Sequence, residues 1–326
     1  MTRARETLIS DVFSTVRSPT EEDCRARLGA DLSALVANTG ERLVEIRPLT
    51  AEARWRDRPG SFRLTFAQGN VLKGVRLPDP ERLRQLIHVL ECIRHPGIPD
   101  LIDHEGTALL QRWVPGTSIA NGPWSSEDIG SCGSLHGYIH TVRVPADNPF
   151  ADGQGRFSKW DAGLPGNLDF LAERSALRAQ EVDAVKELTR QQPSTAEMGF
   201  IHKDLCAENL VRAADGRLYV VDNESFTVGP YSYDLARTWY RWALPAAQQM
   251  EYLEAYARHR DPQDFVSDFQ YWALVTLVKA ATFRLRQNAE ARDYPIRHLR
   301  YCLARLERAG TPSLGELLQR PPRESL

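Results

Sequence analysis

The apolar positions of the N-terminal third change period twice. Between residues 20 and 40 they recur at helical spacing, after a Ser18-Pro19-Thr20 break that ends in Thr20-Glu-Glu-Asp, a helix-start pattern with acids in the first turn. Residues 1 to 40 are therefore expected to form an amphipathic helical extension whose role is packing. From 41 to 77 the pattern becomes that of strands: Leu43 to Leu49, then Ser61 to Phe66 and Val71 to Arg76, the last two forming a hairpin across Gln68-Gly69. A two-residue turn there opposes Phe66 with Val71, Leu64 with Lys73 and Phe62 with Val75. It places Lys73 among apolar neighbours, which is costly unless the ammonium has an anionic partner or reaches solvent. Helical period returns at Pro80 to Arg94, with Pro80 in the first turn and Leu83, Leu86, Ile87, Leu90 and Ile93 in one stripe.

Beyond residue 117 the pattern is mainly helical: Ser126 to about His140, a charged helix from Asn167 to Gln192, an aromatic stretch from Tyr233 to Ala243, and helices near 247–259, 263–288 and 291–309. Residues 143 to 166, rich in Gly, Pro and Asp, are expected to be a long loop on the substrate side, and the tail from Thr311 to fray. One stretch breaks the helical run. Asp215-Gly216 is a hairpin signal with short apolar runs on both sides. A two-residue turn there opposes Val211 with Val220 and Asn209 with Asp222, aiming two oxygen ligands at one place. A hard cation such as Mg²⁺ takes one or two such groups and fills its shell with water and phosphate oxygens.

Composition adds exclusions. A net charge of −2 gives no support for nucleic-acid binding. No run approaches the ~20 apolar residues of a membrane span, and the N-terminus lacks a signal-peptide pattern. The five cysteines (24, 92, 132, 206, 302) are scattered, without a Cys-x-x-Cys, as in a reducing cytoplasmic compartment. Lysine occurs only at 73, 159, 186, 203 and 279, so each lysine carries information in an arginine-rich chain.

His202-Lys203-Asp204, with Asn209 five residues on and Asp222 closing the next strand, resembles the catalytic core of protein kinase-like phosphotransferases. Details favour the aminoglycoside phosphotransferase and choline kinase branch. Asp222 is followed by Asn223-Glu224, Cys206 stands where Ser/Thr protein kinases usually carry a lysine, and Gly229-Pro-Tyr-Ser-Tyr-Asp-Leu-Ala236 is similar to that branch's Gly-Asp-Pro-x-x-Asp-Leu-Ala. The resemblance implies an α+β, bilobal protein kinase-like fold: a helical extension (1–40), a small β-rich N-lobe (41–115, with a hinge near 111–116) and a larger helical C-lobe (116–326).

It also implies roles. ATP and Mg²⁺ are the expected cofactors. Lys73 would hold the α- and β-phosphates and Val71 would contact the adenine. Ser61, beside Gly60, borders the loop expected over the phosphates, which lacks a Gly-x-Gly-x-x-Gly pattern. Gln111 and Trp113 lie in Leu109–Gly116, which looks like the hinge. Asp204 would accept the proton of an acceptor hydroxyl, or orient it. His202 would brace the loop, Lys203 could neutralise the transferred phosphate, and Asn209 and Asp222 would hold the metal. Asp234 would be buried against the catalytic-loop backbone. Glu81 and Glu91 are the acids open to pair with Lys73, and Asp169, Glu173, Glu181 and Asp183 could line a pocket for a cation. The acceptor is expected to be a small molecule of aminoglycoside, amino alcohol or sugar type. A Ser/Thr kinase of a peptide in natural-product biosynthesis and a catalytically dead pseudokinase are the alternatives.

Overall fold

The structure, a computed structural model, describes residues 18–49, 60–120, 122–150, 163–193, 197–287 and 293–309. The helical stretch expected before Ser18, most of the phosphate-covering loop, most of the loop before 163 and the tail from Thr311 lie outside the described residues. Contacts divide the chain into two units, Met1–Ile87 with Pro99–Pro115, and His88–Ile98 with Gly116–Leu326. No described helix is long and apolar enough to cross a membrane.

The first unit is a five-stranded antiparallel sheet with a helix on one face. Helix α1 (Glu21–Asn38) starts at Thr20, whose hydroxyl accepts from Asp23 N while the Asp23 carboxylate accepts from Thr20 N. That reciprocal cap satisfies two donors a helix start leaves open. Strands β1 (Leu43–Pro48), β2 (Ser61–Phe66), β3 (Val71–Arg76), β4 (Leu101–Glu105) and β5 (Ala108–Arg112) take the order β1-β2-β3-β5-β4. Leu28, Leu32, Leu35 and Val36 of α1 bury against Ile46, Phe62, Leu64, Phe66 and Leu110. Each such side chain contributes about 1.5–3 kcal/mol. Asp31 ties α1 to the β4–β5 turn, accepting from Thr107 N at 2.7 Å and Thr107 Oγ1 at 2.8 Å. The approach is close enough that a Cβ on Gly74 would meet Leu64 at 2.9 Å and Leu32 at 3.1 Å.

The β2–β3 register differs by one residue from the expected one. Thr65 pairs with Val71, Arg63 with Lys73 and Ser61 with Val75. The loop holds three residues, with Gly69 at φ 90°, and Phe66 N still bonds to Asn70 O at 2.9 Å. A residue in the left-handed region closing a three-residue loop is the common alternative to a two-residue turn. Because side chains alternate, the slip reassigns faces. Phe62, Leu64 and Phe66 belong to the face that α1 covers, and Lys73 belongs to the opposite one.

Helix α2 (Pro80–Cys92) buries Leu83, Leu86, Ile87 and Leu90, with Ile93 just beyond its end, and the Glu81 carboxylate pairs with Arg84. In the second unit, β6 (Gly116–Ser118) leads to α3 (Ser126–Ile139). The charged helix expected from 167 to 192 is two helices, α4 (Leu164–Glu173) and α5 (Ala179–Leu188). Ser175, at φ 54°, reverses the chain between them and Leu177 is buried in the bend. Then come β7 (Met198–Ile201), β8 (Leu210–Ala213), β9 (Leu218–Val220) and β10 (Thr227–Pro230). The order β6-β8-β9 makes one small sheet and β10-β7 another, the second not foreseen among helices. Helices α6 (Tyr231–Arg241), α7 (Ala246–Tyr256), α8 (Gln263–Ser267), α9 (Phe269–Arg286) and α10 (Tyr294–Ala309) complete the unit.

Candidate active site

Strand β7 delivers the chain into the loop His202–Cys206, and the start of α6 receives it. Asp234, fully buried, accepts from His202 N and Lys203 N, both at 2.7 Å. The same carboxylate accepts from His136 Nε2 at 3.0 Å and His140 Nε2 at 3.3 Å. Each ring's other nitrogen, Nδ1, accepts a tyrosine hydroxyl, Tyr252 on His136 at 2.6 Å and Tyr256 on His140 at 2.8 Å. The network sets a proton on Nε2 of each ring, facing the carboxylate. Burial alone would raise the Asp234 carboxyl, but the field and hydrogen bonds of His136 and His140 outweigh it and hold it well below the usual range. Burial pushes His140 down to about 3. His136, His140 and Asp234 lie close enough to share a metal ion. Their facing nitrogens already donate to the carboxylate, so the trio acts as a filled hydrogen-bond anchor for the loop.

The anchor depends on glycine. A Cβ on Gly133 would stand 2.4 Å from Tyr252 O, and one on Gly137 2.5 Å from Tyr256 O. Two turns of α3 each offer a gap and an imidazole, and two turns of α7 each supply a carbonyl and a hydroxyl. Tyr231, where the family pattern has proline, packs against His140 with its ring tilted by 35° (ring centroids 4.5 Å apart) and over Gly199, whose absent side chain makes the room.

Within the loop, Asn209 ends the short 3-10 turn Ala207–Asn209 and its amide nitrogen donates to Asp204 O at 2.8 Å and Asp204 Oδ2 at 3.2 Å. On the other side Arg241 Nε lies 3.1 Å, and Arg237 Nη2 3.4 Å, from Asp204 Oδ1. Arg237 Nε also donates to Lys203 O at 2.9 Å. Burial would lower the Arg241 guanidinium, but Asp204, Cys206 and Glu208 outweigh it and raise its pKa. His202 is buried and burial lowers its pKa. Its Nδ1 accepts from Asp204 N at 3.3 Å and its Nε2 donates to Asn223 Oδ1 at 3.2 Å.

The expected opposition of Asn209 and Asp222 is not what forms. Leu210 pairs with Val220 and Val211 with Tyr219, and Val221 N donates to Asn209 O at 2.8 Å. The loop again has three residues, closed by Gly216 at φ 80°. Asp222 falls one residue past the pair and turns left-handed, at φ 63°; Lys203 has the same φ. Asp222 is exposed, and Asn209, buried, turns its amide nitrogen to Asp204 and so its oxygen away from it. A carboxylate and an amide oxygen form a hard donor set that fits a magnesium ion.

The residues assigned to the nucleotide lie in the first unit. Lys73, 8% exposed, sits between Arg63 on β2 and Gln111 on β5, the latter 2% exposed. Val71 shares its face two residues earlier, and Ser61 opposes Val75. Trp113 follows β5 and carries the Arg63 guanidinium 5.6 Å above its ring. The residues that sequence reasoning does not single out are His140, Tyr252, Tyr256, Arg237, Arg241 and the role of Asn223. The available signal is a four-residue repeat: Gly133/Gly137, His136/His140, Tyr252/Tyr256 and Arg237/Arg241 each stand one helical turn apart.

Comparisons with known proteins place this geometry. Among curated proteins none matches the sequence. Among solved structures, the chain is similar to an amicoumacin kinase in complex with AMP-PNP, Ca²⁺ and Ami, with a TM-score of 0.61 and 12% identity over 92% of this chain and 100% of that one. It is similar to a choline/ethanolamine kinase family protein from Mesorhizobium loti, with a TM-score of 0.58 and 16% identity over 91% and 97%. A thermostable mutant of an aminoglycoside phosphotransferase gives 0.59 and 14% over 85% and 99%. The model of the phosphotransferase enzyme family matches residues 62–269. The chain thus belongs to the phosphotransferase enzyme family and has the mixed α+β kinase-like fold of these solved structures.

Proposed function

We propose that the protein transfers the γ-phosphate of ATP to a hydroxyl of a small molecule. The observation that carries this reading is the fixed carboxylate of Asp204. Its loop is held by two hydrogen bonds to Asp234, its oxygens meet Asn209 and two arginines, and it is 25% exposed, open to an incoming hydroxyl.

The acceptor oxygen forms the new bond to the γ-phosphorus, the bond from that phosphorus to the β,γ-bridging oxygen breaks, and the acceptor proton passes to Asp204 as ADP leaves. Asn209 and Asp222 would hold magnesium, which supplies charge neutralisation on the phosphates when bound. Lys73 would bind the α- and β-phosphates, with Val71 on the adenine, Ser61 near the phosphates, and Gln111 and Trp113 at the adenine edge. Lys203 would neutralise the group in transit. His202, buried and neutral, holds the Asp204 amide in place and takes no part in proton transfer.

The test is an acceptor screen with γ-labelled ATP and Mg²⁺. Asp204→Asn should abolish transfer while leaving nucleotide binding, and Asp222→Ala should lose Mg²⁺-dependent nucleotide binding as well. Full turnover by either variant removes the corresponding role.

A further inference from the structure

We propose that the acceptor carries an oxyanion, a carboxylate or a phosphate ester, recognised by Arg237 and Arg241 beside Asp204. This rests on the phosphotransferase reading above and narrows its substrate class.

Tyr233, Arg237 and Arg241 stand four residues apart and share one face of α6. Both guanidiniums converge on the same oxygen of Asp204, at 3.4 and 3.1 Å. Two guanidiniums thus stand at the place where the reacting hydroxyl must come, with the carboxylate of Asp204 between them and that of Glu208 acting on Arg241. The side chains of Arg237, Arg241 and Asp204 are 21%, 27% and 25% exposed, so they are partly withdrawn from water yet reachable. Basic groups continue from there. Lys203 is the neighbouring loop residue, Lys279 of α9 lies 5.6 Å above the Tyr233 ring, and Arg284 of α9 acts on Tyr240 of α6.

A guanidinium offers five N–H donors in a planar fork that suits carboxylate or phosphate. Arg237 engages Lys203 O and Asp204; Arg241 engages Asp204 and Cys206 Sγ. Further donors on each fork are therefore available to a ligand. Of the acids that could line a pocket for a cationic acceptor, one is engaged and three face solvent. Glu181 is bound by Arg300 at 2.7 and 3.2 Å and caps α5 through Arg178 N, while Asp169, Glu173 and Asp183 are exposed. An ammonium beside Asp204 would lie close to two guanidiniums, and like charge at close range selects against it.

The experiment uses the full chain with ATP, Mg²⁺ and four acceptors on one three-carbon frame: glycerate, glycerol 3-phosphate, glycerol and 3-amino-1,2-propanediol. We expect at least a tenfold higher kcat/KM for one of the two anions than for the amine; which anion leads tells carboxylate from phosphate. Arg237→Gln and Arg241→Gln should each raise KM for the preferred anion about tenfold and shrink its advantage over glycerol. A pair that only props up Asp204 would lower kcat for all acceptors alike and leave the charge preference intact, which overturns the proposal. So does any result without an anionic advantage, whether the amine leads, all four are equal, or none reacts. ATP hydrolysis that depends on Asp204 and Asp222 keeps the phosphotransferase reading in that case. Loss of all nucleotide turnover, with or without acceptor, overturns that reading instead.

Discussion

His202 Nε2 donates to Asn223 Oδ1 at 3.2 Å while its Nδ1 accepts the Asp204 amide at 3.3 Å. One buried, neutral imidazole thus spans from the loop of the proposed base to the residue following the proposed metal ligand. His202→Leu fills the space but leaves an amide and a carboxamide oxygen without this partner in a dry site. Stability should fall by about 3 kcal/mol, given a desolvation cost of about 1–3 kcal/mol per orphaned group. Urea denaturation measures it, and an unchanged midpoint would show that the imidazole carries no such span.

Glycines on one helix should respond in opposite senses. Gly137→Ala drives a methyl to 2.5 Å from Tyr256 O, so α3 and α7 must part. The expected loss is about 1–3 kcal/mol. On the same helix, a methyl added at Gly130 would meet nothing within 4 Å. Gly130→Ala should stabilise by about 0.5–1 kcal/mol by removing chain entropy. Thermal melts of the two variants check both signs.

Acid should unfold the protein through its loop anchor. His140 has a folded pKa of about 3 against 6.5 unfolded, and His202 is shifted in the same direction. Between those values the unfolded chain binds protons that the native state excludes, so stability is complete above about pH 6.5 and declines as pH falls toward 3. Asp234, lowered below its ordinary 3.8, adds to the loss under pH 3.8, where the unfolded chain protonates it first. Each group contributes a slope of at most about 1.4 kcal/mol per pH unit. Urea midpoints from pH 7 to 4 should decline, and His140→Gln should flatten the decline by one proton. An equal slope in wild type and variant would refute the assignment.

Cys206 sits in the loop sequence yet is built to be inert. Burial pushes its thiol up to about 12, and Cys132 is raised by burial as well. The thiolate is the reactive form. Titration with a disulfide reagent at pH 8 should therefore spare both until denaturant is added, while the half-buried Cys24, Cys92 and Cys302 react first. Rapid modification of Cys206 in the native state would contradict this.

Most elements are legible in the sequence where a period runs for six residues or more. Strands β2 and β3 start and end where alternation starts and ends, and the Thr20 cap stands where its sequence pattern puts it. Both hairpin registers differ from expectation by one residue, for one reason. A two-residue turn makes Gly69 and Gly216 its second residue, whereas each closes a three-residue loop at positive φ. A glycine signals the left-handed position but not how many residues precede it. Strands β7 and β10, four residues each, are too short to show a period. In the site, the spacing from His202 to Asp222 names the loop, but Arg237 and Arg241 are hidden because arginine is the chain's default cation. The folding of α6 against the loop singles them out.

Lys203 and Asp222 share a backbone conformation that disfavours any residue with a side chain by about 1–3 kcal/mol. Glycine at either position would relax the chain and delete a group of the proposed machinery in one step. With the roles proposed above, the shortest mutational path to a sturdier version of this protein leads to an inert one, and screens that select for heat resistance alone should be drawn toward these two codons.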